Sequence, residues 1–274
     1  MDSALQIAVV LLPILYLLVA AAYGFVFFAD HSGARRIAPT LMRGVLVLHF
    51  GYLLLLTLRW EQFPAASISQ VLSAVAFAIA TVYAVAEWYG REQSTGFLMF
   101  SLACFFEVLS SLLRTPNPPK LPIFESPMFA AHVSFGLLGY AAFAVAAVYG
   151  ALFLMLYSEI KQGRFHVFFG KLPPLEILER MTGIALMVGF VALTGAVISG
   201  SLWAEQLFSG VWHKDPKFLV TVVTWAFYGA ALALRNRRHW QGRQTAVASL
   251  AGFGAILFSV VAINLFLTDI HRFY

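Results

Sequence analysis

Seven histidines and one tryptophan-rich break hold the residue types from which this chain could build a reactive or binding site. His132, in MFAAHVSFGLLGYAAF, lies inside an apolar run, about five residues or 7 to 8 Å from its start if the run is helical. His213 stands in the break SLWAEQLFSGVWHKDPKFLVTVVTWAFY, residues 201–228, and His271 follows the last apolar run in INLFLTDIHRFY. His49, in GVLVLHFGYLLLL, is about ten residues from either end of its run, near the middle of any bilayer that run crosses. An imidazole in lipid is costly unless paired, so such residues face a bundle interior and often mark function. The plain alternative is a histidine bonded to a backbone carbonyl or a Ser/Thr hydroxyl of a neighbouring helix. Two neutral imidazoles on opposite sides of a flat apolar ring can hold a haem iron, with aromatic side chains covering the macrocycle. Zinc is the competing metal. It would want close His spacing, HExxH or cysteines, and the chain offers a single Cys104 and scattered carboxylates. His31, His166 and His239 sit among basic residues, where solvent or headgroups are their expected surroundings.

The elements that must position these groups are membrane helices. Apolar residues make up 61% of the 274 and charged residues 11%, with a mean hydropathy of +0.81, far from a soluble balance. Runs long enough to cross a hydrocarbon core of about 30 Å recur, and about eight are expected, near 4–28, 40–58, 68–88, 96–113, 127–157, 178–203, 217–234 and 245–268. The first lacks a basic leader and a small-residue cleavage site, so it is expected to stay as a helix. The fold class expected is therefore an all-α polytopic bundle, one transmembrane domain over 1–274 with no internal repeat.

Lys and Arg in the short loops set the orientation. One side collects Arg35, Arg36, Arg43, Arg91, Lys161, Arg164, Lys171, Arg180, Arg235, Arg237, Arg238 and Arg243; the other holds Arg59, Arg114, Lys120, Lys214, Lys217 and Arg272. The richer side is expected in the cytoplasm, which places both termini, with His132, His213 and His271, outside. Topology explains the net charge of +5, so lipid headgroups are the expected partner and nucleic acid is not needed.

The segment WHKDPKFLVTVVTWAFY resembles the tryptophan-rich WWD motif of the cytochrome c assembly family, whose branches include CcsA, CcmC and HemX-like membrane proteins. The typical form is W-x-W-D-P-K-E followed by a tryptophan and an aromatic residue. Trp212, Asp215, Pro216, Lys217, Trp225 and Tyr228 match it, while Lys214 and Phe218 replace the second tryptophan and the glutamate. HVSFGLLGYAAFAVAAVYGALFL, PPLEILERMTGIALMVGFVALTGAVISGSLW and GFGAILFSVVAINLFLTDIHRFY are similar to the family helices around the motif, so the resemblance covers 127–274, and the earlier spans fit the eight-helix HemX-like branch in number. It implies a haem site, with haem b as the cofactor, on the extracytoplasmic face of a bacterial plasma membrane. His132 and His271 become the implied axial ligands, and Trp203, Trp212 and Trp225 the haem-facing aromatics. Asp215 and Lys217 are implied for propionates or for fixing the loop.

A second haem at His49, with Met99 or Met187 opposite, stays open, and Glu87 and Glu107 are expected to pair with polar neighbours. The function expected is haem binding in cytochrome c assembly or haem trafficking, without catalysis by this chain, alongside other assembly subunits. The alternatives are a regulator acting on a tetrapyrrole-synthesis enzyme, and a scaffold or transporter.

Overall fold

A computed structural model describes residues 2–115, 117–163, 170–208, 212–236, 240 and 242–266. Among the described residues the chain is helical, without strands. The order is α1 (Asp2–Ala29), α2 (Ser32–Trp60), α3 (Ile68–Gly90), α4 (Gly96–Leu112), the single turn α5 (Pro122–Glu125), α6 (Pro127–Gln162), α7 (Leu175–Phe208), a 3₁₀ turn (Trp212–Lys214), α8 (Pro216–Asn236) and α9 (Arg243–Phe266). Among the described residues six helices, α1, α2, α3, α6, α7 and α8, are long and apolar enough to cross a membrane. The apolar α4 is shorter, at 17 residues.

The helices overrun the expected spans at their polar ends. α2 starts at Ser32 rather than near 40 because His31 is extended and its Nδ1 accepts the Ala34 amide at 3.2 Å. That cap satisfies a first-turn donor, so helix can form across the basic residues. His31 is exposed, as expected, but it also caps α2.

The chain packs as two compact units: residues 1–130 with 165–173, and 131–164 with 174–274. In the first, α4 packs on both α1 and α3, and α2 on α1 and α3. Tyr16, Val19, Ala20 and Tyr23 are buried along α1, the i, i+3, i+4, i+7 pattern of one helical face. Pro13 has no N–H to give the carbonyl of Val9, and Ser111 of α4 donates its hydroxyl to that carbonyl at 2.8 Å. A backbone group freed inside an apolar bundle thereby regains a partner.

In the second unit small residues let backbones approach. A Cβ on Gly139 of α6 would lie 3.2 Å from the Leu193 nitrogen of α7. Phe143 then stacks on Tyr228 of α8, with ring centroids 3.8 Å apart and planes 5° from parallel. Gly150 of α6 faces Ser249 and Ala246 of α9 so closely that any side chain there would collide.

Candidate functional site

The site residues within the second unit come from α6, α7 and the start of α8. His132 projects from α6 onto α7, where its Nδ1 lies 2.9 Å from the carbonyl oxygen of Ala196. A carbonyl only accepts, so Nδ1 carries the proton and the lone pair of a neutral ring is on Nε2. Trp203, two turns along α7, lies beside the imidazole, with centroids 6.4 Å apart and planes inclined by 28°. Gly200 makes room for this: a Cβ there would overlap the His132 ring. The residue is half-buried.

The chemistry of this donor fits a haem iron. A ligating histidine commonly donates its second nitrogen to a carbonyl, which fixes the tautomer and orients the ring, and Ala196 plays that part. His271, the implied opposite ligand, lies outside the described residues, as do His166 and His239.

The tryptophan-rich break is built as a capped helix start. Pro216 occupies the first position of α8, where a missing N–H costs nothing. Asp215 is buried and its Oδ1 accepts the amides of Lys217 at 2.9 Å and Phe218 at 3.3 Å. Of the two roles implied for Asp215, these bonds fit fixing the loop. Lys217 is half-buried and close enough to His132 to act on it electrostatically.

Trp212 donates its indole N–H to Glu205 and meets Phe218 edge-on at 4.8 Å. Trp225 lies in the α7/α8 seam, donating to Thr194 Oγ1 at 2.8 Å and stacked on Phe190 at 5.5 Å. Trp203 is thus the tryptophan seated against His132, while Trp212 and Trp225 hold the loop and the seam. Sequence reading passed over Ala196, Gly200 and Thr194. The spacing of Gly200 and Trp203, three apart on one face of α7, was the available signal.

His49 belongs to the first unit and is fully buried. Its Nδ1 is 2.9 Å from the Tyr16 hydroxyl and its Nε2 3.0 Å from Ser73 Oγ, which donates to Glu107 Oε2 at 2.9 Å. Both ring nitrogens are engaged, so no lone pair faces a metal in this arrangement. Met99 is buried in α4, and Met187 belongs to the other unit. The pairing expected for Glu107 is met by Ser73, and that for Glu87 by the hydroxyls of Tyr23 at 2.5 Å and Tyr83 at 2.7 Å on one carboxylate oxygen. No cluster of three or more His, Cys, Asp or Glu side chains able to hold a metal ion exists among the described residues.

Comparison with known proteins finds relatives along most of the chain. The cytochrome c biogenesis protein CcsA of Picosynechococcus is 24% identical, covering 84% of this chain and 86% of its own length. Its counterpart in Gloeobacter violaceus is 23% identical over 80% of this chain and 81% of its own. That of Chlamydomonas reinhardtii is 25% identical over 86% and 68%. The profile of the cytochrome c assembly protein family matches residues 43–271, so the likeness begins within α2, well before the stretch from 127 on which sequence reading rested. With helices apolar and long enough to cross a membrane, the chain is a multi-pass membrane protein that belongs to the cytochrome c assembly family.

Proposed function

We propose that this chain binds haem, as haem b, at the extracytoplasmic face of a bacterial plasma membrane and presents it for cytochrome c assembly or haem trafficking. The observation that carries the reading is the bond from His132 Nδ1–H to the Ala196 carbonyl, which leaves the Nε2 lone pair as the ligand atom of a ring lying beside Trp203. His132 and His271 are the ligands proposed, within a haem-handling region spanning 127–274. Trp203 is the aromatic surface, and Lys217 supplies positive charge for a propionate. Trp212, Asp215 and Trp225 keep the surrounding loop and seam in shape through the bonds described above.

When bound, the haem supplies an iron and a reactive macrocycle. The chain itself holds the imidazole tautomer and orients the ring. Nothing in this role requires it to make or break bonds, so the proposal is a haem-delivery subunit working with other assembly subunits. CcsA relatives are named for cytochrome c biogenesis, which supports this order of readings. The second reading, a HemX-like regulator acting on a tetrapyrrole-synthesis enzyme, rests on the eight expected spans.

An absorption spectrum of the detergent-purified protein, oxidised and then dithionite-reduced, with a pyridine haemochrome assay, tests the proposal. A Soret band with bis-histidine α and β bands at about one haem per chain is the expected outcome for a single bis-histidine site. Two haems per chain would bring His49 into ligation. A colourless protein that also fails to take up added hemin overturns the reading.

A further inference from the structure

A second device sits in the unit formed by α1–α4 and shares no residue with the His132 site. Four side chains, one from each helix, join in series: Tyr16 of α1, His49 of α2, Ser73 of α3 and Glu107 of α4. All four are at least 98% buried. The carboxylate meets no Lys or Arg among the described ion pairs; its nearest cationic candidate is His49, 3.9 Å away and bridged by Ser73. Ionisable side chains buried within an apolar bundle are rare and commonly mark a function beyond packing.

The hydrogen bonds have a direction. If Ser73 gives its hydroxyl proton to Glu107, its oxygen must accept from His49, so Nε2 carries the ring proton. Nδ1 is then bare and accepts the Tyr16 hydroxyl. Every bond points from Tyr16 toward Glu107. The same heavy-atom positions also allow the reverse. With a proton on Glu107, the carboxyl donates to Ser73, Ser73 donates to Nε2, and Nδ1–H donates to Tyr16. The two arrangements differ by one proton and by the tautomer of His49.

We propose that Tyr16, His49, Ser73 and Glu107 form a proton-transfer chain, with Glu107 as the loading site and His49 as the relay. The balance is one proton in and one proton stored. A proton reaching the Tyr16 oxygen releases the tyrosine's own proton to Nδ1. The Nε2 proton passes to Ser73, and the Ser73 proton passes to Glu107. Tyr16, His49 and Ser73 end neutral with unchanged proton counts. No electron moves, and the only co-reactant is a proton from water.

The other titratable groups near the chain are Tyr52 of α2 and Cys104 of α4, both within electrostatic reach of Glu107, and Arg114 beyond the end of α4, which acts on Tyr52. From α3 the facing group is Ser73, which does not titrate. A second carboxylate, Glu87, lies toward the opposite end of α3 under Tyr23 and Tyr83. Phe100 packs between the two clusters, 5.8 Å from Tyr16 and 5.7 Å from Tyr23, and separates them by an apolar plug.

The test uses the full chain in nanodiscs with ¹⁵N-labelled histidine, the His49 signal being identified by its loss in His49→Gln. Infrared difference spectra across a pH series follow the Glu107 carboxyl band, identified by its loss in Glu107→Gln. In the wild type the Nε2–H tautomer should convert to Nδ1–H as that band appears, with a shared midpoint. In Glu107→Gln the side chain no longer titrates and can face Ser73 with either its oxygen or its N–H, so the His49 tautomer should stay fixed across the pH series. In Ser73→Ala, whose fold is checked by circular dichroism, Glu107 should still titrate while the His49 tautomer no longer follows it. A His49 tautomer that stays fixed in the wild type throughout the titration, or that still changes with pH in folded Glu107→Gln, overturns the proposal, as does a carboxyl that never titrates.

Discussion

At the scale of the residue, the His132 site depends on what is missing from α7 as much as on what is present. Gly200 leaves the volume that the imidazole fills. Adding one methyl forces the ring away from Ala196 or from Trp203, so Gly200→Ala should lower haem retention on the order of tenfold, the usual cost of disturbing a ligand's supporting partner. Hemin titration followed at the Soret band checks it. His132→Ala should abolish retention or shift the spectrum, whereas His31→Ala, at the exposed cap of α2, should leave the spectrum as it is. Equal spectra for wild type and His132→Ala would remove His132 from the site. His132 and Trp203 were legible as candidates through the family resemblance, but the carbonyl that orients the imidazole was not. A histidine in an apolar run advertises a partner, but the partner here is a backbone carbonyl 64 residues away, and every residue type has one of those.

Among the helices, two devices keep the bundle elements in register, and each is open to a single substitution. Ser111→Ala strands the Val9 carbonyl that Pro13 leaves unpaired, at a cost of about 1 to 3 kcal/mol for a buried acceptor without a partner. Asp215→Ala removes both side-chain bonds that cap α8 and should cost about 1 kcal/mol. Thermal unfolding of the purified protein in one detergent reads both as lowered midpoints. The Asp215 variant should also loosen the loop around Trp212, so its haem off-rate should rise; an unchanged off-rate would confine Asp215 to capping. The cap was readable from Asp-Pro-Lys ahead of an apolar run, since proline favours the first helical position and aspartate the one before it. The Ser111 bond was not, because proline at 13 predicts an orphaned carbonyl without saying which neighbouring helix will supply a donor.

Over the whole molecule, the arginine and lysine bias makes a topological prediction that the fold alone does not test. In a Cys104→Ser background, single cysteines at Arg91 or Lys161 should react with a membrane-impermeant thiol reagent only after the membrane is opened. Cysteines at Lys120 or Lys214 should react in intact cells or spheroplasts. The opposite pattern inverts the bundle and puts the His132 site on the cytoplasmic face.

The sequence by itself determined that the chain is helical and membrane-borne, because hydropathy and run length depend on composition and helical rise rather than on neighbours. It also carried the family, since the profile of the cytochrome c assembly family matches the chain over residues 43–271. What the tertiary structure decided is partnership. It set His132 on Ala196 with Trp203 alongside, turned Trp225 to Thr194, and joined His49 to Glu107 through Ser73. The physical reason is that apolar helices carry little in their sequence to say which face meets which. Packing of small residues and the need to satisfy each buried polar group make that choice only when all the helices are present.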